Sequence, residues 1–149
     1  MPELNDSVKA TGSVRKQLFD ESGVCIYDHT DSNLIVTVGK AFLATYLASG
    51  TPPFMSFIGL GTGSAAPTLG DTNLQTPLPT RVAGTLSSPS SAVWQNVATF
   101  GAGVDTGAIT EAGLFSASSG GTMFARNVFS VVNKGAGNSL VVTWQVTVS

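Results

Sequence analysis

The chain is 149 residues long, one domain's worth and enough to bury a core without metals or disulfides. Only 11% of it is charged, against roughly 25% in an ordinary soluble domain, and the net charge is −2 with no basic cluster larger than Arg15-Lys16, which argues against DNA or RNA as a direct partner. No segment reaches the roughly 18 uninterrupted apolar residues of a membrane span, the start MPELND is acidic where a secretory leader would be basic, and the single cysteine excludes an internal bridge, so the expectation is a chain that is cytosolic when made.

In chain order, residues 1–12 are polar and read as a tail with little structure of its own. Residues 13–19 (SVRKQLF) and 23–27 (GVCIY) read as short strands around the acidic turn Asp20-Glu21-Ser22-Gly23. Cys25, between Val24 and Ile26, reads as a small buried hydrophobe. We expect an N-terminal arm over residues 1–32, with Glu3, Asp6, Lys9, Arg15 and Lys16 as candidate docking residues, followed by one β-domain over 33–149. The charges support this division, since residues 1–40 hold ten of the sixteen.

One helix is predicted over residues 37–49 (TVGKAFLATYLAS), with Thr37 as N-cap, an apolar stripe of Val38, Phe42, Leu43, Tyr46 and Leu47, and Gly50 followed by Pro52-Pro53 as the stop. It carries Lys40 alone as a charge and is expected to lie against a sheet. Beyond it the pattern is of strands: 54–60, 80–86, 92–100, 108–115, 122–130 and 139–148, divided by Gly, Ser and Pro clusters. Alternation is clearest in the last, where Leu140, Val142, Trp144, Val146 and Val148 share one face. The fold class is therefore mainly β, a jelly-roll-like β-sandwich with one short helix.

The stretch FIGLGTGSAAP tests for an enzyme. Gly61, Gly63 and Ala66 fit the spacing of a dinucleotide-binding loop, but that loop must open directly into a helix, and here Pro67 follows at once with Pro77 and Pro79 downstream. There is no Gly-Lys-Ser/Thr either. Gly59, Gly61 and Gly63 read instead as glycines of a strand-end turn or a close backbone approach. His29, the only histidine, sits in the polar stretch Asp28-His29-Thr30-Asp31 with no second histidine or cysteine to complete a metal site, and the carboxylates around it lack calcium-loop spacing. No Gly-x-Ser-x-Gly elbow occurs. We expect no catalytic residues, no metal and no cofactor.

Glu111 in ITEAGLF and Arg126 in MFARNVF are each embedded among apolar residues of predicted strands, where an unpaired charge would be expensive. They are read as a structural ion pair. Trp94, Tyr27 and Trp144 could stack on sugars if exposed, but core packing is the expected fate of all three.

The ordered series VGKAFLATYL, FIGLGTGSAAPTLGDTNL, WQNVATF, ITEAGLF, MFARNVFSVVNKG and LVVTWQVTVS resembles a group of small tailed-bacteriophage virion proteins, the capsid cement or decoration proteins, some labelled tail-fibre proteins. The resemblance spans residues 35–149. It implies a non-enzymatic sandwich subunit that binds across boundaries of the major capsid protein, on the virion head surface after assembly in the host cytoplasm; the uncharged strand edges separately lead us to expect a homodimer or homotrimer. The alternative it leaves is a tail-fibre module that binds a receptor or glycan. A sheet-rich chain this poor in charge has little to keep its strand edges apart in solution, which independently favours burial of its surface in contacts.

Overall fold

A computed structural model describes residues 7–50 and 53–149; Glu3 and Asp6 lie outside them. The chain folds as β1 (Ala10–Phe19), β2 (Cys25–Ser32), β3 (Leu34–Ile35), α1 (Thr37–Ser49), β4 (Phe57–Gly61), β5 (Pro77–Ala83), β6 (Thr85–Ser90), β7 (Val93–Phe100), β8 (Gly107–Phe115), β9 (Met123–Lys134) and β10 (Ser139–Val148). Two five-stranded antiparallel sheets result. Sheet A runs β2-β1-β10-β7-β6 and sheet B runs β3-β9-β8-β4-β5. The protein is thus a mainly β, two-sheet sandwich. Four consecutive pairs, β1–β2, β4–β5, β6–β7 and β8–β9, are neighbours within one sheet.

The inward residues follow strand alternation. Leu140, Val142, Trp144 and Val146 of β10 are buried, while Val148 at the strand end is exposed. Val14 and Leu18 of β1 join them, and Ile58, Leu60, Ile109, Leu114, Phe124 and Val132 of sheet B close the core from the other side. The outer face of sheet B holds a second, smaller cluster of Val36, Leu74, Phe115 and Met123.

The N-terminal segment departs from the expected arm. β1 pairs with β10 along its whole length, from Ala10 opposite Val148 to Phe19 opposite Ser139, and β2 pairs with β1 in turn. Residues 10–32 therefore belong to the sandwich, and no boundary falls at residue 32. Lys16 points into the interior with Val14 and Leu18, so it cannot dock on anything outside. Arg15, on the opposite face, is exposed. Cys25 is exposed as well, because it lies near the tip of the β1–β2 hairpin, where Val24 and Ile26 are also uncovered.

Two further differences have local causes. The run expected as one strand over 80–86 is two strands in different sheets, separated at Gly84. Its backbone N–H donates to Ser56 O at 2.8 Å, and a Cβ there would strike the Asn96 side chain. In α1 the N-cap is Val36, in extended conformation and without a side-chain cap, so Thr37 is the first helical residue. Gly50 closes the helix as expected, left-handed at φ 62°, with its N–H on Tyr46 O. Phe42 and Leu43 pack on the core and Gly39 lies against the Phe124 backbone, but Leu47 is 76% exposed and Val38 is also uncovered. Only one side of the helix meets the sandwich, and the stripe is narrower than its spacing suggests.

Removal of residues 1–19 should abolish folding, since it strips β10 of a ten-residue partner and takes Val14 and Leu18 out of the core. The check is thermal unfolding followed by circular dichroism: we expect no cooperative transition, and a retained one would show that β1 is dispensable.

Candidate functional site

Glu111 and Arg126 are adjacent in the sandwich because their strands pair. β8 and β9 run antiparallel with Gly113 opposite Arg126, and both charged side chains emerge on the outer face of sheet B. Both are buried there, beneath the chain between β4 and β5. Arg126 grips the carboxylate with two donors to Glu111 Oε2, Nε at 3.0 Å and Nη2 at 2.8 Å. The remaining acceptor capacity of Glu111 is filled from the backbone, by Gly63 N–H (3.0 Å), Gln75 N–H (3.0 Å) and Thr76 N–H (2.8 Å). Arg126 also donates to Ala65 O at 3.0 Å and to Asp71 Oδ2 at 2.8 Å.

One amide of the glycine-rich stretch, that of Gly63, joins those of Gln75 and Thr76 in cradling an anion, and that anion is the protein's own carboxylate. Gly61 is the last residue of β4 and stands directly opposite Glu111. A Cβ on it would collide with the Glu111 carboxylate, and one on Gly63 would come within 2.6 Å of it. Gly59 sits under Phe115 and Arg81, where a Cβ would be 3.2 Å and 3.3 Å from their atoms. None of the three has a positive φ, so close approach, not backbone conformation, is what calls for glycine.

Electrostatics at this centre are set by competition. Burial pushes the Glu111 carboxyl up, but the amides of Thr76 and Gln75, then Arg126 and Gly63, outweigh it and hold its pKa below the usual value. For Asp71, burial is likewise outweighed, by the Thr68 N–H and hydroxyl and by Arg126, and the pKa is lowered. Asp105 goes the other way: burial raises its pKa, and the Thr80 N–H at 3.3 Å, the Thr80 side chain and Lys134 offset that only in part.

The interior holds two more cations. Lys16 Nζ donates to Asp31 and to Asn127 Oδ1 (3.1 Å) and lies 4.3 Å from the centroid of the Phe129 ring; burial lowers its pKa, with Asp31 pulling it back. Lys134 Nζ donates to Gly101 O at 2.9 Å, and burial lowers its pKa too. His29 is in strand β2, not in a turn, with its ring Nε2 3.0 Å from Asp31 Oδ1. Among the described residues no three His, Cys, Asp or Glu side chains gather as a metal site.

What remains open to a partner is apolar. A groove of about 400 Å³ lies between α1 and the sandwich, lined among others by Phe42, Tyr46, Phe54, Trp94, Phe124 and Val148. Tyr46 stacks on Phe42 (6.4 Å between centroids) and meets Phe54 edge-on (6.0 Å), so the rings form one continuous wall. Trp144 is fully buried, and Trp94 and Tyr27 are half-buried while still packed against the core. Sequence reasoning missed this groove because its lining comes from six separated segments. It missed Asp71 because Gly-Asp-Thr in a loop looks like an ordinary turn. Compared with known proteins, the chain matches no family model, no curated protein and no solved structure.

Glu111→Gln should lower the unfolding free energy by about 3 kcal/mol or more at neutral pH, because it leaves Arg126 buried without its counter-charge. Chemical denaturation measures this, and a loss within about 0.5 kcal/mol, as at an ordinary surface site, would contradict the role assigned to the pair. The sign with pH follows from the lowered pKa values of Glu111 and Asp71. Below about pH 4.3 for Glu and 3.9 for Asp the unfolded chain binds more protons than the folded one, so stability is full above those values and falls as the pH drops towards the folded ones. Repeating the denaturation series in acid should show that decline in the native protein and a shallower one in Glu111→Gln.

Proposed function

We propose that the protein is a structural component of a tailed-bacteriophage virion, a capsid cement protein that binds across boundaries between major capsid protein subunits and stabilises the head. The observation that carries this reading is where the charges lie. Of the six charged side chains in residues 53–149, Asp105, Glu111, Arg126 and Lys134 are buried and Asp71 and Arg81 are half-buried, so none stands free on the surface. The exposed charges among the described residues are Lys9, Arg15, Glu21, Asp28 and Lys40. A subunit whose larger part offers neutral Ser, Thr, Gly and apolar groups is suited to permanent contact with other proteins.

The aromatic groove beside α1 supplies a docking surface for such contact, and the residue series over 35–149 points to the same class. Lys9 and Arg15 remain available to the shell, whereas Lys16 does not. A ligand that binds only the assembled shell stabilises it by mass action, about 2.7 kcal/mol per site at a hundredfold excess over the dissociation constant, repeated over the lattice. A second reading, a tail-fibre module that binds a glycan, is favoured by Trp94 half-open in an aromatic groove. Sugars also need convergent polar groups, and this lining is almost wholly apolar.

Locating the protein in purified virions tests the reading. Density on the head lattice, at a copy number on the order of hundreds, is the expected result; density confined to the tail would overturn it. Phe54, 46% exposed in the groove, offers a finer check. Phe54→Glu should weaken binding to isolated heads at least tenfold, about 1.4 kcal/mol, while leaving the melting temperature of the free protein unchanged. Wild-type occupancy would remove the groove from the docking surface.

A further inference from the structure

Two five-stranded sheets have four outer strands, and three of them are blunted. β5 carries Pro77 and Pro79, which lack the N–H a further strand would use. β6 carries Pro89 and loses register between Ser87 and Ser90. β3 is two residues long. β2 is different: eight residues without proline, paired to β1 on one side, regular from Tyr27 to Ser32, and with six of its eight residues exposed. Its other side has no strand partner among the described residues, although Ser32 O accepts from Asn127 Nδ2 at 2.9 Å and Tyr27 O from Cys25 Sγ at 3.3 Å.

We propose that two copies of this chain join edge to edge through β2, antiparallel about a two-fold axis at His29, so that sheet A of one continues into sheet A of the other. The proposal deepens the self-association expected from the strand edges and does not depend on a virion.

The register follows from geometry and charge. Tyr27, His29 and Asp31 lie opposite Leu18, Lys16 and Val14 and so face the core side; Ile26, Asp28, Thr30 and Ser32 face outward. An antiparallel two-fold pair must keep these faces aligned, so the axis passes through a residue that meets its own copy. An axis at Asp28 would set two carboxylates directly opposite, which is destabilising. An axis at Thr30 pairs only residues 28–32. An axis at His29 pairs residues 26–32, with Asp28 opposite Thr30 of the partner subunit, Asp31 opposite Tyr27 of the partner subunit and Ile26 opposite Ser32 of the partner subunit. No carboxylate then meets another, and the phenol donor of Tyr27 stands across from a carboxylate. Asp28 is already held by Arg15, at 2.9 and 2.7 Å, which lowers the negative charge along the seam.

Sedimentation or light scattering of the full chain from about 1 to 100 μM should show a species of twice the 15.2 kDa chain mass. Thr30→Asp separates the dimer from the fold. Within one subunit the new carboxylate lies opposite Arg15, but in the dimer it lies opposite Asp28 of the partner subunit, at two symmetric places. Its dissociation constant should rise at least tenfold with an unchanged circular dichroism spectrum.

In a Cys25→Ser background, His29→Cys should oxidise readily to a covalent dimer, because opposed residues in an antiparallel pair have Cα atoms about 4.5–5.5 Å apart, within disulfide range. Thr30→Cys in the same background should not. A monomer at the highest concentration, a trimer, a Thr30→Asp dimer as tight as wild type, or cross-linking through Thr30→Cys as fast as through His29→Cys would each overturn the proposal. None of these results bears on where the protein sits in a virion.

Discussion

The Glu111 carboxylate accepts five hydrogen bonds, three from backbone amides of residues 63, 75 and 76 and two from Arg126. Most of the rest of sheet B depends on that group. Residues 62–76 cross the outer face of the sheet without forming a strand, and amides covered in that way need partners that the chain itself must supply. One buried carboxylate supplies three. Arg126 neutralises it and ties down Ala65 and Asp71, so the segment is fixed at both ends and Leu74 is pressed onto Phe115 and Met123. The glycines of β4 make room for the carboxylate, and charge, loop and sheet form one unit.

The same arrangement explains how the chain distributes its few ionised groups. Lys16, Glu111, Arg126 and Lys134 are all buried, each with oxygen or nitrogen partners inside. Such groups add less net stability than their contacts suggest, because each must recover a large loss of hydration. Their use indoors leaves the exterior of residues 53–149 nearly neutral, and the virion reading rests on that exterior.

Much of the architecture is legible along the chain, and its gaps have physical causes. β10 is plain because its alternation is unbroken through four buried residues. Glu111 and Arg126 stand out because a charge amid apolar strand residues has to be paired, and the structure sets them 2.8 Å apart. β1 reads as an arm because Lys16 interrupts its alternation, and a buried lysine looks like a surface one until Asp31 and Asn127 are seen around it. The break between β5 and β6 is invisible because both halves favour strands, and only the clash a side chain at Gly84 would make with Asn96 reveals the turn from one sheet to the other. The groove has no signature of its own, being assembled from segments far apart in order.

Lys9 and Ser149 are joined by two backbone hydrogen bonds, at 2.6 and 2.8 Å, and Ala10 and Val148 just inside them both line the aromatic groove. The backbone at Lys9 and at Ser149 therefore lies at one place, beside that groove. A cargo attached after Ser149 would crowd that groove, while the tip of the β1–β2 hairpin at the far end of β1 offers an insertion point clear of it.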